Sequence, residues 1–269
     1  MAATTILAPS APGPIQQARW AVSDSLTMAQ RNLLVWIRVP AYIVFTVVQP
    51  VIFVLLFRYV FGGAIPVAGG SYVDYMIPGI IAQTAGFASM GTAISLAIEM
   101  RKGVIDRLRS MPMSRSAVLA GRLIADTVRM LITILILVGI AYAVGFRFHN
   151  GLDGAVGMVL LALAFGVTVC CVSAFIGLAI KDEESVQAFG MIWLFPLTFV
   201  SSAFVPVASM PGWLQTFARN QPVTVIIDTM RSFALGGPVA SELWKSIAWL
   251  AGIALIFAPL AVRTYRRAS

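Results

Sequence analysis

The side chains that could carry covalent or proton-transfer chemistry are few and scattered. The sole histidine is His149, and one imidazole cannot supply a metal cluster. Cys170 and Cys171 are neighbours inside an apolar run. On a helix they point ~100° apart, which suits neither a mutual disulfide nor a shared metal and fits small apolar packing residues. No pair of carboxylates falls at a spacing that would bring both to one pocket for acid–base work. A phosphate-cradling loop ends in Gly-Lys-Ser/Thr, and none of Lys102, Lys181 and Lys245 follows a glycine. The chain therefore carries no ordinary ATP-hydrolysing site, and uphill transport through it would draw energy from another polypeptide. It is not expected to be an enzyme or to hold a cofactor or metal of its own.

The elements that must position these residues follow from composition. Of the 269 residues 59% are apolar and 11% charged, against roughly 25% charged in an ordinary soluble domain. That excludes a soluble globular protein and a disordered one. Six stretches reach the roughly 20 apolar residues a helix needs to cross a bilayer: Ala41–Phe61, Tyr75–Ile98, Leu123–Phe146, Ala155–Ile180, Val186–Val207 and Leu243–Val262. A seventh, Met210–Leu235, is interrupted by Pro211 and Pro222 and charged by Arg219, Asp228 and Arg231. Its Val223, Ile226, Ile227, Met230 and Phe233 recur at helical spacing, which predicts a short amphipathic or re-entrant helix between the last two spans.

Residues 1–14 are rich in Ala, Pro, Ser and Thr and read as a disordered tail; with no Lys or Arg before Arg19, they lack the basic start of a secretory signal. From Ile15 to Arg38, Ala18, Val22, Leu26, Ala29, Leu33 and Trp36 form an apolar stripe. It predicts an amphipathic helix lying on the membrane face or packed on a soluble partner. The expected fold is all-α: a polytopic membrane protein with six transmembrane helices, preceded by this helix.

The net charge of +8 comes from 19 basic and 11 acidic residues. With the N-terminus inside, short inner segments hold all the basic residues except Arg58, Arg147, Arg219, Arg231 and Lys245. By the positive-inside rule both termini are cytoplasmic, and the charge speaks of topology rather than of nucleic acid. The acids lie in loops or near span ends, which weighs against an ion-coupled transporter. Such a transporter, or a passive channel, remains an alternative; a membrane-embedded enzyme is a weaker one. Arg122, Asp126 and Arg129 are spaced to pair along one helix face as a local charge clamp. Asp182-Glu183-Glu184 reads as a solvated turn or a partner contact. Mid-span polar residues, among them Gln49, Gln83, Thr198, Ser201 and Ser202, suit interhelical hydrogen bonding or ligand contact.

The most hydrophilic stretch, Glu99 to Arg115, joins the second and third spans and holds five basic residues in 17 positions. Val104, Ile105, Leu108 and Met111 give it a small apolar face at helical spacing, ended before Pro112. A short charged helix at the base of two spans could transmit force from a soluble partner. A basic loop binding anionic lipid is the other reading.

Three segments carry a resemblance: Tyr75-Met76-Ile77-Pro78-Gly79-Ile80 at the start of the second span, GVIDRLRSMPMSRSAVLAGR over residues 103–122, and FPLTFVSSAFVPVASMPGW over residues 195–213 followed by Arg219-Asn220-Gln221-Pro222. With six spans in the same order, the chain resembles the membrane subunits of type-2 ABC transporters, in particular the daunorubicin-resistance-like antibiotic exporters. The resemblance covers roughly residues 15–267. It implies a six-span half-channel in the plasma membrane, pairing with a second copy or a related permease, with two separate ATP-binding subunits holding ATP and magnesium on the cytoplasmic face. Residues 15–38 would be the interface helix, residues 39–267 the transmembrane domain, and residues 208–240 the outer re-entrant helices. The loop over residues 99–115 would seat on the ATPase. There Glu99, Arg101, Arg107 and Arg109 would make polar contacts, Gly103 a close turn, and Val104, Ile105 and Leu108 fill a groove. Gln49, Gln83, Thr198, Ser201 and Ser202 are candidates to line a path for a lipophilic or amphiphilic cargo, which could arrive through membrane lipid.

Overall fold

The computed structural model describes residues 14–62, 65, 67, 71–104, 107 and 117–267. Among them the regular structure is helical: α1 (Pro14–Arg38), α2 (Pro40–Leu56) continued by a π-turn over Phe57–Phe61, α3 (Tyr72–Arg101), α4 (Ala117–Ala143), α5 (Gly151–Ile180), α6 (Glu183–Phe199), α7 (Gly212–Asn220), α8 (Pro222–Leu235) and α9 (Val239–Arg267). The expected tail, apart from Pro14, lies outside the described residues.

Helices α3, α4, α5 and α9 are each long and apolar enough to cross a bilayer. Helix α2 with its π-turn and helix α6 are shorter, and α6 stops at Phe199 rather than running to Val207. Pro196 lies in its last turn, and the backbone of residues 200–203 is then bonded by side chains: the Gln221 amide donates to the Val200 carbonyl at 2.5 Å, and the Ser202 N–H donates to Thr224 Oγ1 at 3.3 Å. A buried non-helical segment is tolerated because its polar groups are satisfied within the protein.

Helix α3 is the axis of the bundle. Met76, Ile77, Ile80, Ile81 and Leu96 are essentially inaccessible, and it packs on α2, α4, α5, α6 and α8. Where α3 meets α5, a Cβ on Gly177 would run into the Ala93 carbonyl, so glycine sets the distance between these helices. The segment between α6 and α9 forms a 3₁₀ turn at Val207–Ser209 and then α7 and α8. The apolar residues Val223, Ile226, Ile227 and Met230 of α8 are buried as their spacing predicts, against α3, α5 and α9.

Helix α1 packs along α4, but its buried side is not the whole expected stripe. Ser25, Met28, Ala29 and Trp36 face inward, whereas Val22 and Leu26 are 61% and 56% exposed; the Ala18 side chain lies outside the description. The reason is steric. Gly121 of α4 sits where an added Cβ would be 2.5 Å from the Ser25 carbonyl oxygen, so the small-residue side of α1 is the one that fits. Val22 and Leu26 stay outward on the same side as Ile37, and Trp20 and Val35 are exposed elsewhere on the helix, apolar surface suited to lipid.

Candidate functional site

Helix α3 ends in a turn built for its sequence. The Lys102 N–H donates to the Ile98 carbonyl at 3.0 Å, and Gly103 follows at φ +64°, a left-handed conformation that glycine adopts without strain. The Arg107 N–H then donates to the Gly103 carbonyl at 3.3 Å, and Arg107 is exposed. Val104 packs inward on the cluster of Met28, Leu96, Val118 and Tyr265. Ile105, Leu108 and Arg109, and the expected helix up to Met111, lie outside the described residues.

At the base of this turn the charges are paired within the chain. Glu99 Oε2 accepts from Arg122 Nη1 of α4 at 2.9 Å, and Glu99 Oε1 lies 3.7 Å from Arg31 Nη2 of α1. Arg101 Nη2 donates to Glu183 Oε1 of α6 at 3.0 Å. Three helices are therefore tied to the end of α3 by ion pairs. Asp182 opens α6, accepting from the Ser185 N–H at 2.9 Å; the Ser185 side chain and backbone together hold its carboxyl below the usual range.

The expected row of Arg122, Asp126 and Arg129 divides. Arg122 crosses to Glu99, while Asp126 pairs with Arg129 at 2.6 Å and accepts from Thr92 Oγ1 at 2.5 Å. Asp126 is buried within helix α4, which is described from Ala117. Cys170 Sγ is 3.6 Å from the same Thr92 hydroxyl, and both cysteines are buried and free.

Between α1, α2, α3 and α4 lies a cleft of about 450 Å³. Arg31, Glu99, Arg122, Asp126 and Arg129 line one part of it; Trp36, Pro50, Phe53 and Phe87 give apolar wall, and Gln49, Gln83 and Thr84 contribute polar groups. Two of the five path candidates, Gln49 and Gln83, thus meet in one place. Of the other three, Thr198 lies in the last turn of α6, and Ser201 and Ser202 in the bend that follows. Thr198 Oγ1 donates to the Leu194 carbonyl at 2.6 Å, Ser201 Oγ to the Thr198 carbonyl at 2.5 Å, and Ser202 Oγ to Asp228 Oδ1 at 2.7 Å.

That bend is organised by Arg231 of α8. Its Nε donates to the Tyr75 carbonyl at 2.9 Å, and Nη1 donates to Asp228 at 2.6 Å and to Ser202 Oγ at 3.0 Å. Nη2 donates to the Ser202 carbonyl, and the guanidinium lies 3.7 Å from the Tyr75 ring centre. In the sequence, Asp228 and Arg231 interrupt an apolar stretch and count towards topology, with no role in a site. The signal was present: Asp126-Thr127-Val128-Arg129 and Asp228-Thr229-Met230-Arg231 share one spacing, and both form i,i+3 ion pairs. Among the described residues no group of three His, Cys, Asp or Glu could hold a metal ion.

Comparison with known proteins agrees with this architecture. Residues 24–235 match the family model of the ABC-2 type transporter. A daunorubicin resistance ABC transporter permease of Streptomyces coeruleorubidus is 33% identical over 246 residues, covering 91% of this chain and 87% of its own length. A probable doxorubicin resistance ABC transporter permease of Mycobacterium tuberculosis is 33% identical over 260 residues, 96% of this chain and 94% of that one. A putative transport permease of the red alga Pyropia yezoensis is 26% identical over 205 residues, 74% of this chain and 69% of that one.

Proposed function

This chain belongs to the ABC-2 type transporter family and is a transport permease, and from that premise we propose how it works and what it carries. It is the membrane half of an ATP-driven exporter in the plasma membrane. Six spans, formed by α2 with its π-turn, α3, α4, α5, α6 and α9, leave both termini cytoplasmic, with α7 and α8 at the outer side. It pairs with a second copy or a related permease and docks two ATP-binding subunits, which hold the ATP and magnesium. The cargo is a lipophilic or amphiphilic compound of the drug or antibiotic kind. The observation that carries this reading is the match to permeases named for daunorubicin and doxorubicin resistance over nearly the whole chain.

The coupling segment begins at Gly103. Arg107 and Arg109 reach the ATPase with Ile105 and Leu108. Glu99 and Arg101 are engaged with Arg31, Arg122 and Glu183, so they hold the base of the segment while Val104 seats it. ATP binding closes the ATPase pair and draws the two coupling segments together. The ion pairs pass that movement to α1, α4 and α6, and the permease halves rock outward. This mechanism requires two global states with different nucleotide affinity. Gln49 and Gln83 contact cargo on the inner part of the path, and Thr198, Ser201 and Ser202 flank its outer part.

The test is efflux from cells expressing the permease with its ATP-binding subunit. Arg107→Glu combined with Arg109→Glu should abolish efflux while the permease stays in the membrane at its normal level. Undiminished efflux would remove these arginines from the docking surface.

A further inference from the structure

We propose that the cleft between α1, α2, α3 and α4 binds the acidic head of an amphiphile, a phosphate or a carboxylate, with its tail along the aromatic wall. This deepens the export reading by naming a class of cargo; binding in the cleft stands without that reading, and only its transport rests on it.

The argument is one of donors and acceptors. Each guanidinium carries five N–H donors, and Arg31, Arg122 and Arg129 all line the cleft. Against them stand two carboxylates whose four oxygens are engaged. Glu99 faces Arg122 at 2.9 Å and Arg31 at 3.7 Å, and Asp126 accepts from Arg129 at 2.6 Å and Thr92 at 2.5 Å. Among the described residues, one positive charge and most of the guanidinium hydrogens are left over.

The spare donors call for an acceptor-rich anion, and arginine forks match phosphate and carboxylate oxygens. Trp36 also lines the cleft and adds ring surface to its wall. A cationic head would meet three guanidiniums and two carboxylates already occupied.

The remainder of the wall suits a hydrocarbon tail. Pro50, Phe53 and Phe87 carry no charge. At about 450 Å³ the cleft falls among ordinary small-molecule sites of roughly 300–1,000 Å³. It holds a head and the first part of a chain.

The experiment measures equilibrium binding to the purified full-length permease in a neutral detergent. Its probes are dodecyl phosphate, dodecyltrimethylammonium, inorganic phosphate and phosphatidylglycerol. Dodecyl phosphate should bind at least tenfold more tightly than the cation with the same tail and than inorganic phosphate. Displacement by phosphatidylglycerol assigns the site to membrane lipid, and failure to displace assigns it to a single-chain cargo. Arg31→Gln, at a side chain 42% exposed, should weaken dodecyl phosphate at least fivefold and leave the cation unchanged. Equal binding of the two heads, equal binding of inorganic phosphate, or no effect of Arg31→Gln overturns the proposal. Selective binding without ATP-driven efflux of the bound class would leave the site standing and remove the export reading of it.

Discussion

Arg231 directs all three guanidinium nitrogens at the chain around it, bonding Tyr75, Asp228, Ser202 and Ala203. Its side chain is 11% exposed, while that of Asp228 is 45% exposed. The arginine is therefore the member of the pair whose loss leaves buried acceptors stranded. Arg231→Met should cost about 2–3 kcal/mol, the range for several lost charge-assisted hydrogen bonds. Thermal unfolding of the detergent-purified protein would show it as a lowered midpoint. Arg231→Lys should recover only part of the loss, because an ammonium cannot reproduce the planar fork. Asp228→Asn should be milder than either, and an Asp228→Asn protein less stable than Arg231→Met would contradict this order. The local i,i+3 pair was visible in the sequence. Its partners at Tyr75 and Ser202 were not, because they come from α3 and from the bend after α6, and no spacing rule joins segments that far apart.

Helices are set by apolar content, which is why each of the six apolar stretches forms one, whereas their faces and ends are set by contact. Helix α1 shows the difference. Hydropathy selects Val22, Leu26 and Ala29 alike, but close approach to Gly121 buries Ala29 together with Ser25 and leaves Val22 and Leu26 outside. Gly121→Val should push α1 away from α4, breaking the Arg31 contact with Glu99 and uncoupling the helix from the end of α3. The expected readout is faster proteolysis within α1 with the remaining bundle intact. A variant with wild-type cleavage would show that the seat is not needed. The end of α6 was hidden for a related reason. Residues 200–207 are apolar enough to continue a span, and the side chains of Gln221, Thr224 and Arg231, with those of Ser201 and Tyr72, make a non-helical path through the interior tolerable. At the candidate site, the ion pairs of Glu99 and the bond of Asp126 to Thr92 depended on which helices become neighbours.

At the scale of the molecule, the distribution of charge and the geometry of the bundle make one joint prediction. The basic residues and the ion pairs of Glu99, Arg101 and Arg122 gather at the end of α3 where the 99–115 segment leaves, and α6 starts at that same end through Arg101 and Glu183. His149 lies at the opposite end, its N–H bonded to the Ala234 carbonyl at the close of α8. If the first end is cytoplasmic, as the positive-inside rule requires, the two ends must differ in access to a reagent that cannot cross the membrane. The native cysteines give little background, Cys170 being 2% and Cys171 7% exposed. His149→Cys should therefore react with an impermeant maleimide in intact cells. Glu184→Cys, at an exposed position in the first turn of α6, should react only after permeabilisation. Labelling of both in intact cells would break the six-span topology. Labelling of Glu184→Cys alone would invert it, placing Arg107 and Arg109 on the side where there is no ATP and removing the basis for coupling through that segment.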